Sequence, residues 1–169
     1  MVDSLPPKLF DSYVDVNVKE DMNEILPFSA TLEVRDRCLC LHVQRAARAL
    51  ARRFDEALKP FGLTNGQFSI MMALNRPKPP RITELAPFLA MDRTTLTAAL
   101  KPLRRRDLIT VTPDPDDRRG SLLTLTDAGR KTLAAALPAW RATHDAVDAA
   151  TPEIAPAALR DSLNKLSVP

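Results

Sequence analysis

The sequence predicts a mainly α fold with a small β-wing, and three observations predict it. Apolar residues recur every three to four positions over most of residues 36–167, the spacing of a helix that buries one face. One short segment alternates instead: Ile109–Thr112 and Ser121–Leu125 read as two strands around the charged turn PDPDDRRG. Two short helical stretches precede that turn, separated only by Met91 and Asp92. The joint is tight enough for a helix-turn-helix.

The elements follow in order. Residues 1–35 show no sustained period, and one helical piece is expected near 18–26. This leader is acidic: residues 1–36 carry three basic and eight acidic side chains, whereas residues 37–169 carry 21 basic and 13 acidic. A basic body suits a polyanionic partner. From Asp36 to Lys59 the residues Leu39, Val43, Ala46, Leu50 and Phe54 form one stripe. The predicted helix is roughly 35 Å long at about 1.5 Å per residue. A stripe of that length often needs a second chain to cover it. Lys59-Pro60 ends the helix and Gly62 turns the chain. Thr64 and Gln67 have the spacing of a capping box for the next helix, which Arg76-Pro77-Lys78-Pro79-Pro80 stops.

Thr83 is the expected N-cap of the third helix, with Leu85, Phe88 and Leu89 facing inward. Asp92 caps the fourth, RTTLTAALKPLRRRDL, whose inner face is Leu96, Ala99, Leu100 and Leu103. Pro102 is expected to kink that helix or loosen its last turn. After the hairpin, Thr126 caps a fifth helix that runs toward Ala150 and bends at Pro138. Thr151-Pro152-Glu153 starts a sixth, ending near Leu166. The expected organisation is an acidic extension (1–35), dimerisation helices (36–63 and 127–169) and a winged helix-turn-helix (64–126).

The fourth helix turns Arg93, Thr94, Thr97, Ala98 and Lys101 away from its leucines, with Thr95 at the edge. Small hydroxyls, a methyl and two cations suit a major groove. The hairpin tip offers Arg118 and Arg119 to a minor groove, and Asp116 or Asp117 can orient a neighbouring arginine.

Several stretches together resemble the multiple-antibiotic-resistance-regulator (MarR) family. They are Gly62-Leu63-Thr64 through Gln67-Phe68, Ile82-Thr83-Glu84-Leu85-Ala86, Leu103–Ile109, Asp114–Arg119 and Leu125-Thr126-Asp127-Ala128-Gly129-Arg130. The resemblance covers roughly residues 36–167. Its most specific part is the wing and the Leu-Thr-x-x-Gly that follows. Asp107 stands where the family often has glycine, and Pro87 and Pro102 are unusual in the paired helices. The resemblance implies a homodimeric winged helix-turn-helix regulator with long dimerisation helices, bound to double-stranded DNA. Arg118 would match the family's wing arginine and Asp117 the aspartate beside it. Thr83, Arg93, Thr94, Thr95, Thr97, Ala98, Lys101, Asp117, Arg118 and Arg119 are the expected DNA-binding residues. It also implies a small aromatic or anionic effector, for which His42, Arg45, Phe68, Met72 and Trp140 are candidates. The expected action is repression, relieved by that effector.

Cys38 and Cys40 are too few for a disulfide framework. Within one helix they would point about 200° apart, opposing a bond between them and a shared metal ion with His42. No metal or other cofactor is expected. Redox sensing through these cysteines is the alternative switch, and a winged-helix module for protein contacts the alternative use of the fold. Nothing resembles a phosphate loop or nucleophile elbow, so no enzyme is expected. The N-terminus lacks the layout of a signal peptide and no apolar run approaches membrane length. The expectation is a cytoplasmic protein with no membrane partner.

Overall fold

The computed structural model describes residues 26–117 and 120–167. Its elements are α1 (Phe28–Arg37), α2 (Leu39–Leu58), a 3₁₀ turn (Lys59–Phe61), α3 (Asn65–Leu74), α4 (Ile82–Phe88), α5 (Arg93–Arg105), β1 (Ile109–Pro113), β2 (Ser121–Leu125), α6 (Asp127–Ala149) and α7 (Pro156–Leu166). The chain divides into two compact units, residues 1–46 and 47–169. The helical piece expected near 18–26 lies, but for its last residue, outside the described residues.

In the first unit, the single helix expected from Asp36 is broken. Cys38 is extended (φ −73°, ψ 97°), ending α1 and preceding α2. Most of α1 falls in the leader 1–35, where a helical piece is expected only near 18–26. It buries no residue, so it has no apolar stripe to read. Its local support is charge: Arg37 pairs with Glu33 one turn earlier, a modest contribution to an exposed helix.

The second unit holds the core. Phe54 and Leu58 of α2 meet Phe68, Ile70, Met71 and Leu74 of α3, Leu85 of α4, Leu96, Leu100 and Leu103 of α5, Leu123 and Leu125 of β2, and Leu133 of α6. Gly62 takes the left-handed conformation (φ 66°) that ends the 3₁₀ turn. Thr64 and Gln67 form the capping box: the Gln67 N–H donates to Thr64 Oγ1 at 3.2 Å, and the Thr64 N–H donates to Gln67 Oε1 at 3.1 Å. The expected cap of α4 is displaced. Arg81, not Thr83, is its N-cap, and its N–H donates to Glu84 Oε2 at 3.2 Å. A glutamate three residues on reaches back whatever side chain the cap carries. The last helix starts at Pro156 rather than at Thr151. Turn bonds take Thr151 and Ile154 first, and Pro156 then occupies the first helical position.

β1 and β2 pair antiparallel, Ile109 opposite Leu125 and Pro113 opposite Ser121. A third backbone segment joins them: Arg81 bridges Leu122, and the Leu123 N–H donates to Pro80 O at 3.1 Å. The fold is mainly α with this small sheet as its wing. Asp107, where the resemblance led one to expect glycine, has φ 54°. The turn into β1 demands the left-handed region, and aspartate tolerates it better than most residues.

Candidate DNA-binding surface

α5 owes its start to Asp92. The carboxylate accepts the Thr95 N–H at 2.8 Å and the Thr95 hydroxyl at 2.6 Å. The hydroxyl holds the Asp92 carboxyl below its ordinary range. Thr95, expected at the margin of the reading face, therefore spends its hydroxyl proton on the cap. Thr97 donates its own to Arg93 O at 2.6 Å. Arg93, Thr94, Thr97, Ala98 and Lys101 are exposed along one side, while Leu96, Leu100 and Leu103 are buried on the other. Thr83 is exposed on α4.

The exposed side continues into a depression lined by Ala98, Lys101, Pro102, Arg104 and Arg105. Arg104 and Arg105 were not among the residues expected to meet DNA. Their spacing from Lys101, three and four residues, is the signal that places them on its face.

The wing departs more from what the residue types suggested. Arg118 and Arg119 lie outside the described residues. Of the turn acids, Asp114 is the buried one, at 4% exposure. Its Oδ1 accepts the Asp116 N–H at 2.9 Å, and its Oδ2 accepts Arg81 Nε at 2.5 Å. The Asp116 N–H first, then the Arg81 guanidinium, hold its carboxyl below the ordinary value against the effect of burial. Arg81 Nη1 also lies 4.0 Å from Asp117 Oδ2. Asp114 and Arg81 are an ion pair at the wing that reading by residue type missed. An aspartate two residues before a turn N–H was the available signal for Asp114. Nothing local points to Arg81.

Phe68, Met72 and Trp140 line a largely apolar cavity of about 330 Å³ together with Phe88 and Leu137. Phe68 and Trp140 stack at 5.8 Å, and Trp140 meets His144 at 4.3 Å. The other two effector candidates, His42 and Arg45, are exposed residues of the first unit. Cys38 is half-buried and Cys40 exposed, both as free thiols. Among the described residues no cluster of His, Cys, Asp and Glu is placed to hold a metal ion. No helix among them is long and apolar enough to cross a membrane.

The MarR family model matches residues 63–121, from the approach to α3 through the first residue of β2. The transcriptional activatory protein BadR of Rhodopseudomonas palustris is 32% identical over 104 residues, covering 60% of this chain and 59% of BadR. The chain thus spans about three fifths or less of the curated relatives it matches first. Among solved structures, the M. tuberculosis regulator MosR in complex with DNA is 34% identical, with a TM-score of 0.69 over 78% of this chain and 94% of MosR. The repressor CouR bound to a 23-mer DNA duplex is 32% identical, with a TM-score of 0.64 over 79% of this chain and 92% of CouR. The same helix-turn-helix and wing, matched by the family model and shared along nearly the whole of MosR, show that the chain belongs to the MarR family.

Proposed function

We propose that the protein is a homodimeric transcriptional repressor that binds a pseudo-palindromic DNA operator and is released by a small effector. The observation that carries this reading is the polar and cationic side of α5, from Arg93 to Lys101, exposed opposite a wholly buried leucine stripe. MosR and CouR, with DNA in their structures, support it. CouR is a repressor and BadR an activatory protein. CouR, a repressor with DNA in its structure, favours repression.

Two copies are proposed because one reading helix covers only a few base pairs. α7 supports this: Leu159, Leu163 and Leu166 are exposed at helical spacing, a stripe that a second copy would cover. Selection from random duplexes should return a pseudo-palindrome of roughly 15–25 bp, about one helical turn between half-sites. Its affinity should fall steeply with salt as counterions are released. A winged-helix module used only for protein contacts would select nothing. Arg118→Ala should weaken operator binding by about 1–3 kcal/mol in a gel-shift titration. Unchanged affinity would remove the wing from the interface.

The effector is assigned to the cavity beside Phe68, Met72 and Trp140, whose size and apolar walls suit a small aromatic molecule. Such a ligand releases DNA only by favouring a different spacing of the two α5 helices. Titrating the protein–operator complex with phenolic acids and acyl thioesters tests this, with His42→Ala and Arg45→Ala as the arms for those candidates.

A redox switch is the second reading, and the break at Cys38 favours it. With Cys38 outside the helix, the 200° separation expected of two helical residues no longer keeps it from Cys40. Peroxide would take two electrons from the thiol pair, forming one S–S bond, and leave as two waters with the thiol protons. Peroxide should then lower operator affinity in the wild type and leave Cys40→Ser unaffected. Equal responses would exclude a Cys38–Cys40 bond as the switch.

A further inference from the structure

Arg81 occupies three structural positions at once. It is the N-cap of α4, a backbone bridge to Leu122 of the wing, and the side-chain partner of Asp114, 33 residues away. A two-stranded hairpin by itself is marginal in water. Among the described residues, β1 and β2 gain a third backbone segment at Pro80 and Arg81. The tip is itself closed: the Asp114 N–H donates to Gly120 O at 3.1 Å, and the Gly120 N–H donates to Asp117 O at 2.7 Å. The Asp114 side chain packs beneath Gly120, where a Cβ would approach Asp114 Cβ to 3.2 Å. The guanidinium reaches this closed tip from outside, through Nε to Asp114 and toward Asp117 with Nη1.

A cation at a helix N-terminus opposes the helix dipole, so α4 gains nothing from the charge of this side chain. The wing does. The buried Asp114 carboxylate needs a partner for Oδ2, and a planar guanidinium holds donors in a fixed fork that can face two acids at once, where an ammonium on a flexible stem is less fixed. α4 in turn packs on α5, whose outer face is the reading surface. The line from the wing tip to that surface therefore runs Asp114, Arg81, α4, α5.

We infer that Arg81 is a positioning residue for DNA binding, tying the wing tip to the start of α4 so that wing and reading helix are presented together. The inference rests on the proposed DNA-binding function. Without the tie the wing should swing freely, and its arginines should lose their register with the groove while α5 still reads its own.

The test compares wild type, Arg81→Ala, Arg81→Lys and Asp114→Asn, all as full chains. Without DNA, hydrogen exchange at the Asp116, Gly120 and Leu123 amides should rise roughly tenfold or more in Arg81→Ala, with Leu96–Leu100 unchanged; such selective opening marks a local unit. The DNA probe is the duplex that the wild type selects from a random pool. Arg81→Ala should bind it roughly tenfold more weakly, the loss of one groove contact. Minor-groove protection from hydroxyl radicals should vanish on the flanks, while major-groove protection from methylation persists at the centre of each half-site. Asp114→Asn should repeat this pattern and Arg81→Lys should fall between. A merely structural role would weaken both protections together, and that result, or wild-type exchange at the wing in Arg81→Ala, overturns the inference. If Arg81→Ala does not fold, Arg81→Lys and Asp114→Asn decide on the same readouts. If the wild type selects no duplex, the DNA reading fails, and the exchange comparison still decides whether Arg81 holds the wing.

Discussion

Gly129→Ala is expected to unfold the winged unit at temperatures the wild type survives. A Cβ built on Gly129 would lie 2.0 Å from the Leu108 carbonyl oxygen and 3.0 Å from its carbon. Both are backbone atoms, and neither can swing aside. The Leu108 carbonyl already accepts the Thr126 N–H at 3.1 Å. Thr126 in turn donates its hydroxyl to Asp107 O at 2.6 Å and accepts the Gly129 N–H at 2.9 Å. The start of α6 is thereby clamped against the entry to β1, and relieving the methyl means opening the clamp. The expected cost exceeds about 3 kcal/mol, the range reserved for clashes that the structure cannot absorb. Thermal unfolding should show a midpoint lowered by roughly 10 °C or more. Gly66→Ala is the control. Its Cβ meets nothing within 4 Å, and alanine is the better helix former, so its midpoint should hold or rise. A wild-type midpoint for Gly129→Ala would show that α6 and β1 do not meet this way. The same contact explains the glycine of Leu-Thr-x-x-Gly: the threonine caps, and the residue three places on passes too close to another backbone for any side chain.

Leu96→Ala should cost about 3–4 kcal/mol, within the range for leucines truncated in a closed core. Leu96 is fully buried on the inner side of α5, among neighbours on several elements that cannot all collapse into the void. Urea unfolding should show a lower midpoint with an unchanged slope. Thr94→Ala, two residues earlier on the exposed side, should leave that midpoint within about 0.5 kcal/mol. It should instead weaken operator binding. If Thr94→Ala destabilised the fold as much as Leu96→Ala, α5 would have no free side to offer DNA.

Much of this architecture was legible before any coordinates. The caps at Thr64 with Gln67, at Asp92 and at Thr126 are legible in the sequence, because a cap bonds to a backbone group only three residues away. Ser121–Leu125 is legible as a strand, and Leu123 and Leu125 are its buried face, because a half-buried strand repeats every second residue. α1 escaped notice because it buries nothing, and a helix without an apolar stripe leaves no period. The break at Cys38 lay inside an otherwise continuous pattern, since a single extended residue hardly disturbs a spacing of three to four. Side-chain type points to Thr83 as the cap of α4, whereas the bond found there is donated by the Arg81 N–H to the Glu84 carboxylate.

The order of α3 to α6, the caps at Thr64, Asp92 and Thr126, the hairpin and the two-sided character of α5 follow from the sequence alone, since each depends on residues close together along the chain. Only the tertiary structure decided that Arg81 meets Asp114, that Gly129 passes against Leu108, and that the segment at Pro80 joins the wing. These pairs lie far apart along the chain. Their side chains become partners only after core packing has brought their backbones together, and no local spacing records that approach.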